Sequence, residues 1–292
     1  MSSPSLLAQT NIPYAGAKVS DAWCQQIYQR NLAWLSQLDV DPAPLQQWFT
    51  QRSSGLLGAY FESLLAFWLQ HLSEIDLLAQ NLIVGQPGLQ IGEFDLLFRD
   101  KRRGQIFHWE VAVKFYLRDG SQPYQWLGPN PRDTLQRKLN KVFERQLPLS
   151  EDSRARQVLQ EEIGQADVVS QAFIKGYLFY HHDSNWQNPV HIPAGISENH
   201  LKGWWCRHAD TDGWLLQRRG DHRWRVLPRL EWLSLAFADS AGGLLTVDEL
   251  RIFLKQYFTE HYKALLLVEL AFEDEAWQEV SRGFVVNDGW PK

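Results

Sequence analysis

Gly92–Phe98, GEFDLLF, and Ile106–Leu117, IFHWEVAVKFYL, decide how this chain reads. In the second segment Phe107, Trp109, Val111, Val113, Phe115 and Leu117 form an unbroken apolar row, with His108, Glu110, Ala112, Lys114 and Tyr116 between them. Side chains alternate between the two faces of a strand, so this period of two predicts a strand with one apolar and one polar face. The same even spacing puts Glu93 and Asp95 on one face of the preceding strand, and Glu110 and Lys114 on one face of this one. A buried face carries a Glu and a Lys only if they pair, bind something or reach solvent.

Around these strands the sequence alternates helical and extended signals. Trp23, Ile27, Leu32, Leu35 and Leu38 predict a helix over 18–39 with Ser20 as its cap. A short helix follows Pro42 and Pro44, and an apolar one runs from Leu56 to His71. Strands are predicted at 78–84, 89–99 and 105–117, the last two joined by the turn Asp100-Lys101-Arg102-Arg103-Gly104. A helix after Gly128-Pro129-Asn130-Pro131 carries the stripe Leu135, Leu139, Val142, Phe143 and Leu147. Residues 151–166 read as a further amphipathic helix, and Ala172–Tyr180 as a buried strand. Beyond Asp183, tryptophans and arginines crowd together. There GWLLQRR and HRWRVLPRLEWL, with Gly220-Asp221 between them, predict a hairpin. Thr246–Phe258 reads as a helix, Ala264–Leu270 as a strand, and Glu273–Glu279 as an acidic helix. The class expected is α/β (α+β), with an N-terminal helical extension at 1–50, a core at 51–182 and a C-terminal Trp/Arg-rich β extension at 183–292.

Bulk properties set the limits. The chain has 292 residues, 45% hydrophobic and 22% charged, which is ordinary for a globular protein. A net charge of −5 excludes a globally basic coat and leaves room for a local basic patch. Cys24 and Cys206 have no CxxC partner, so neither a disulfide framework nor a zinc knuckle is expected, and a reducing cytoplasm fits best. No membrane span and no leader at the N-terminus are expected.

Phosphodiester cleavage by a metal enzyme needs carboxylates to hold a hard divalent cation, and a cation to orient water or offset developing charge. Asp95 and Glu110 are the candidate ligands and Lys114 the candidate cation. Glu62, on the apolar helix LGAYFESLLAFWL, is the candidate fourth member. The order of Glu on a helix, Asp on one strand, then Glu and Lys on the next resembles the PD-(D/E)XK nuclease-like phosphodiesterase superfamily. More narrowly, GEFDLL, WEVAVKFYL, LGAYFESLLAFWL and GPNPRDTLQRKLNK look like an uncharacterised bacterial family, a domain of unknown function. The superfamily resemblance implies a restriction-endonuclease-like core with a mixed sheet flanked by helices. It also implies an Mg²⁺ (or Mn²⁺) cofactor, and DNA or RNA as substrate.

The chain departs from that pattern at one point. The resemblance places the second acid two residues before the lysine, where this chain has Ala112. Glu110 is four before Lys114, about 13 Å on a regular strand instead of about 7 Å. Glu93 is the local substitute ligand; a bulge is the other repair. The rival expectation is a catalytically inactive nucleic-acid-binding or protein-interaction module that keeps the fold. Arg132, Arg137, Lys138 and Lys141, with Arg145, form the basic helix face expected to track phosphates. The tryptophans at 204–232 are expected either to stack on bases or a protein partner, or to form core beneath arginine stems.

Overall fold

The computed structural model describes residues 3–8, 18–51, 55–86, 88–120 and 125–292. Much of the stretch read for a leader, residues 9–17, lies outside the described residues. In chain order the helices are α1 (Asp21–Arg30), α2 (Leu32–Val40), α3 (Ala43–Thr50), α4 (Leu57–Gln70), α5 (Leu135–Lys141), α6 (Ser153–Ile163), α7 (Thr211–Leu215) and α8 (Val247–Glu260). The strands are β1 (Ile75–Gln86), β2 (Leu89–Asp100), β3 (Gln105–Asp119), β4 (Gln125–Leu127), β5 (Val169–His181), β6 (Leu201–Arg207), β7 (Arg223–Val226), β8 (Phe237–Ala238), β9 (Leu265–Glu273) and β10 (Ala276–Val286). The fold is mixed α/β, with both parallel and antiparallel pairings. No helix among the described residues is long and apolar enough to cross a membrane.

Two compact units interleave along the chain. One comprises 1–113, 138–175 and 194–199; the other comprises 114–137, 176–193 and 200–292. In the first, β1, β2 and β3 form the expected antiparallel meander. Asp100 Oδ1 accepts from the backbone N–H groups of Arg102 and Arg103 at 2.9 and 3.1 Å, and Gly104 supplies φ +65° to close the turn. Trp109, Phe98 and Leu96 pack with Trp68 and Phe173 in one core, where Trp109 stacks on Phe173 at 4.9 Å. Phe94, Leu97 and Val84 pack with Ala155 and Leu159 of α6. Ser20 caps α1 as expected, accepting from Trp23 N at 3.3 Å. The helix predicted over 18–39 divides at Asn31, whose backbone N–H and side-chain amide both donate to the Ile27 carbonyl, at 3.2 and 2.8 Å. A side chain that satisfies the last turn competes with continuation of the helix.

In the second unit β6 lies parallel to both β5 and β10, while β9 pairs antiparallel with β10 and β7. The tryptophans are core: Trp204, Trp205 and Trp224 are fully buried, and Trp214 and Trp232 nearly so. Arginine stems cover them, with Arg218 over Trp214 at 5.3 Å and Arg229 over Trp232 at 5.7 Å. The hairpin expected across Gly220-Asp221 is absent. Residues 211–215 form α7, which buries Trp214 and Leu215, and of the second half only β7 is a strand. The acidic helix expected at 273–279 is also absent. Asp274 and Glu275 adopt φ +50° and +65°, the two-residue left-handed turn that joins β9 to β10.

Candidate active site in an acidic cleft

In the first unit a cleft of about 400 Å³ is lined by four carboxylates, Glu62, Glu93, Asp95 and Glu110, and by three cations, Lys138, Lys141 and Arg145. Each wall has a local reason. β2 pairs with β3 from Leu96 to Asp100 only, and beyond that point the Asp95 side chain takes over from the backbone ladder. Its Oδ2 accepts the Val111 N–H at 2.8 Å. Glu110 and His108 share the polar face of β3 and are both sealed, at 1% and 0% exposure. His108 is kept neutral, its pKa pushed down to about 3 by burial, with Nδ1 3.1 Å from Ser170 Oγ. Glu62 enters from α4.

Lys138 Nζ donates to Glu110 Oε1 at 3.1 Å and to Gln146 Oε1 at 3.3 Å. Glu110 Oε2, equally buried, has no donor. Burial pushes both Asp95 and Glu110 up, and the neighbouring Asp95 carboxylate adds to the rise at Glu110. Burial, reinforced by Asp95 and Glu93, pushes Glu62 up to about 7. The cleft thus gathers buried carboxyls whose charged forms a bound cation would favour.

Glu62, Glu93, Asp95 and Glu110 line one cleft together with Lys138 and Lys141. Lys114 belongs to the second unit, where its Nζ is bound to Asp133 Oδ2 at 2.7 Å. Tyr116 OH donates to the other oxygen of Asp133 at 3.3 Å. The ammonium at Glu110 is therefore Lys138, expected only as a phosphate contact. Arg132 and Arg137 are exposed, and Arg137 Nη1 donates to the Arg132 carbonyl at 2.6 Å. Gln146 was not anticipated, and Arg145 was read only as part of the basic helix face. The signal for Arg145 is that Lys138, Lys141 and Arg145 recur three and four residues apart, on one helical face.

Oxygen donors suit a hard cation, and the donorless Glu110 oxygen beside Asp95 supplies a place for one. Among the described residues no third carboxylate joins this pair with all ligand oxygens within 4.8 Å of one another. Mg²⁺ is usually held by one or two carboxylates and keeps several waters, so the pair fits that ion in hydrated form.

A raised carboxyl has a defined consequence for pH. Glu62 holds its proton in the folded state up to about 7 against an ordinary 4.5. Between those values the folded chain binds more protons than the unfolded one, so this contribution to stability is complete below the ordinary value and is lost as pH rises through about 7. In chelator, stability is expected to fall over that window by on the order of 1 kcal/mol after screening of a half-exposed group, and Glu62→Gln should flatten the fall. Mg²⁺ held by these carboxyls would displace protons, so such binding would raise the melting temperature more at pH 8 than at pH 6. A magnesium shift equal at both pH values would show that the ion binds elsewhere.

Strand meander and cleft together define an α/β protein with a buried acidic pair bordered by basic side chains. The chain belongs to the family described as Domain of unknown function (DUF1853), whose profile matches residues 1–286. Comparison with curated proteins found no match, and comparison with solved structures found none.

Proposed function

We propose that this protein is a metal-dependent phosphodiesterase acting on nucleic acid, centred on Asp95 and Glu110. The observation that carries the reading is the buried Glu110 carboxylate, with one oxygen on Lys138 and the other without a donor, next to Asp95 at the wall of an open cleft. Glu62 on α4, Asp95 on β2 and Glu110 on β3 keep the order that resembles the PD-(D/E)XK superfamily. Lys138 supplies from α5 the cation that Lys114 would have supplied from β3.

Asp95 and Glu110 would hold Mg²⁺ or Mn²⁺, with Glu93 and Glu62 completing the acidic wall. Such an ion polarises the phosphoryl group and lowers the pKa of a bound water. Lys138 orients the attacking water and offsets charge that develops on phosphorus oxygens. Lys141 and Arg145 hold the flanking phosphates. The water oxygen joins phosphorus, the ester bond to the leaving oxygen breaks, and a proton passes to that oxygen.

The test is to incubate the purified chain with single- and double-stranded DNA and RNA, with Mg²⁺, Mn²⁺ or chelator. Time-dependent cleavage of at least one of the four polymers, lost in chelator, is expected. Intact polymers together with a melting temperature unmoved by either ion would refute the proposal. The second reading, a silent nucleic-acid-binding module, draws on Ala112 at the usual acid position and on Lys114 committed to Asp133. It predicts salt-sensitive binding without turnover.

A further inference from the structure

The second unit carries a different set of donors. β5 ends at His181, and the chain turns sharply there: Ser184 N–H and Oγ both donate to the His181 carbonyl, at 2.9 and 2.6 Å. The turn places the His181 and His182 rings 4.5 Å apart and folds Asp183 back onto both. Asp183 Oδ1 lies 3.0 Å from His182 Nδ1, and its Oδ2 lies 3.5 Å from His181 Nδ1. Asp210, at the end of a short helical turn after β6, completes a group whose ligand atoms all lie within 4.8 Å of one another.

Two further observations point to a ligand. His182 Nε2 is buried and has no hydrogen-bond partner, and only 10% of the His182 side chain is exposed. A buried ring nitrogen left bare costs free energy unless something fills its lone pair. His182 and Asp210 also line a cavity of about 750 Å³, bordered by Trp186, Trp214, Gln217 and Arg218. Metal-binding histidines characteristically give the ring nitrogen that faces away from the metal to a carboxylate, which sets the tautomer. The Asp183 carboxylate lies 3.0 Å from His182 Nδ1, so the bare, buried Nε2 is the nitrogen available to an ion.

We infer that His181, His182 and Asp210 form a binding site for a divalent transition-metal ion of the Zn²⁺ or Fe²⁺ class, with open coordination positions facing the cavity. Two imidazoles and one carboxylate suit those ions better than Mg²⁺ or Ca²⁺, which take oxygen. Three protein ligands leave at least one position of a tetrahedral ion for water or a bound molecule. The site is independent of the acidic cleft and of the activity proposed for it.

The experiment is a Zn²⁺ titration of the chelator-stripped full chain, in competition with a metal-sensitive dye, repeated with Co²⁺ to record its visible absorption. One tight equivalent is expected to bind, and to persist unchanged in the Asp95→Asn, Glu110→Gln chain, whose acidic pair can no longer take up Zn²⁺. His182→Ala and Asp210→Asn should each weaken binding about 100-fold, and Asp183→Asn about 10-fold or more. Exposed His191, replaced by Ala, should leave affinity as it was. Asp210 is exposed, so Asp210→Asn tests the site without endangering the core even if His182→Ala does not fold. Zn²⁺ affinity unaltered by Asp210→Asn, or a folded chain that binds no Zn²⁺, would overturn the assignment.

Discussion

Asp95→Asn should reduce metal-dependent cleavage about 1,000-fold. In the proposed reaction a bound divalent ion would contribute several kcal/mol of charge stabilisation, and each 1.36 kcal/mol is a factor of ten in rate. Asn keeps an oxygen to accept the Val111 N–H, now made at 2.8 Å, so the substitution removes charge while the β2–β3 junction stays closed. Lys138→Met should cost about 100-fold, as loss of a donor aimed at developing charge does. Lys114→Met should change the rate by less than about threefold, because Lys114 is committed to Asp133. Single-turnover rates at saturating Mg²⁺ measure all three. A Lys114 variant more damaging than the Lys138 variant would return the catalytic role to the strand lysine and refute the assignment made from geometry.

Arg282→Met should destabilise the chain by about 3–5 kcal/mol, the usual cost of stranding one partner of a buried ion pair. Arg282 on β10 is 2% exposed. Its guanidinium donates to both Glu279 oxygens, at 2.5 and 2.7 Å, and to the carbonyls of Trp232 and Ser234, at 2.8 and 2.6 Å. It also lies 4.6 Å from the Tyr177 ring centroid. Methionine fills most of the volume and makes none of these bonds, leaving Glu279 charged and sealed. Urea unfolding followed by tryptophan fluorescence reads the effect as a lower midpoint. Adding Glu279→Gln should recover part of the loss, since the stranded charge is then gone. A single-variant cost below about 1 kcal/mol would mean that water reaches the pair.

How much was legible follows from the range of the interactions involved. The β2–β3 meander, α4, α6 and α8 were readable because each carries its own period of apolar residues, and the strand at 172–180 because it is a short apolar run. LKGWWCR was not read as a strand: β6 is buried on both faces between two parallel neighbours and lacks the alternation that a half-exposed strand displays. The segments 213–219 and 273–279 were misread because local propensity yielded to context. Trp214 and Leu215 are buried in α7, and a hairpin turn required two left-handed residues where only helix formers were visible.

By itself the sequence determined which side chains share a face. The period of two puts Glu110 with His108 and Glu93 with Asp95 wherever the strand runs without a bulge. Tertiary structure alone decided which cation meets the carboxylates, which tryptophans are core, and that two adjacent histidines and an aspartate 28 residues further on converge. Those pairings depend on how a loop returns and which helix packs over which strand. Contacts of that kind are set by the burial of the whole chain, and spacing along the sequence carries no record of them.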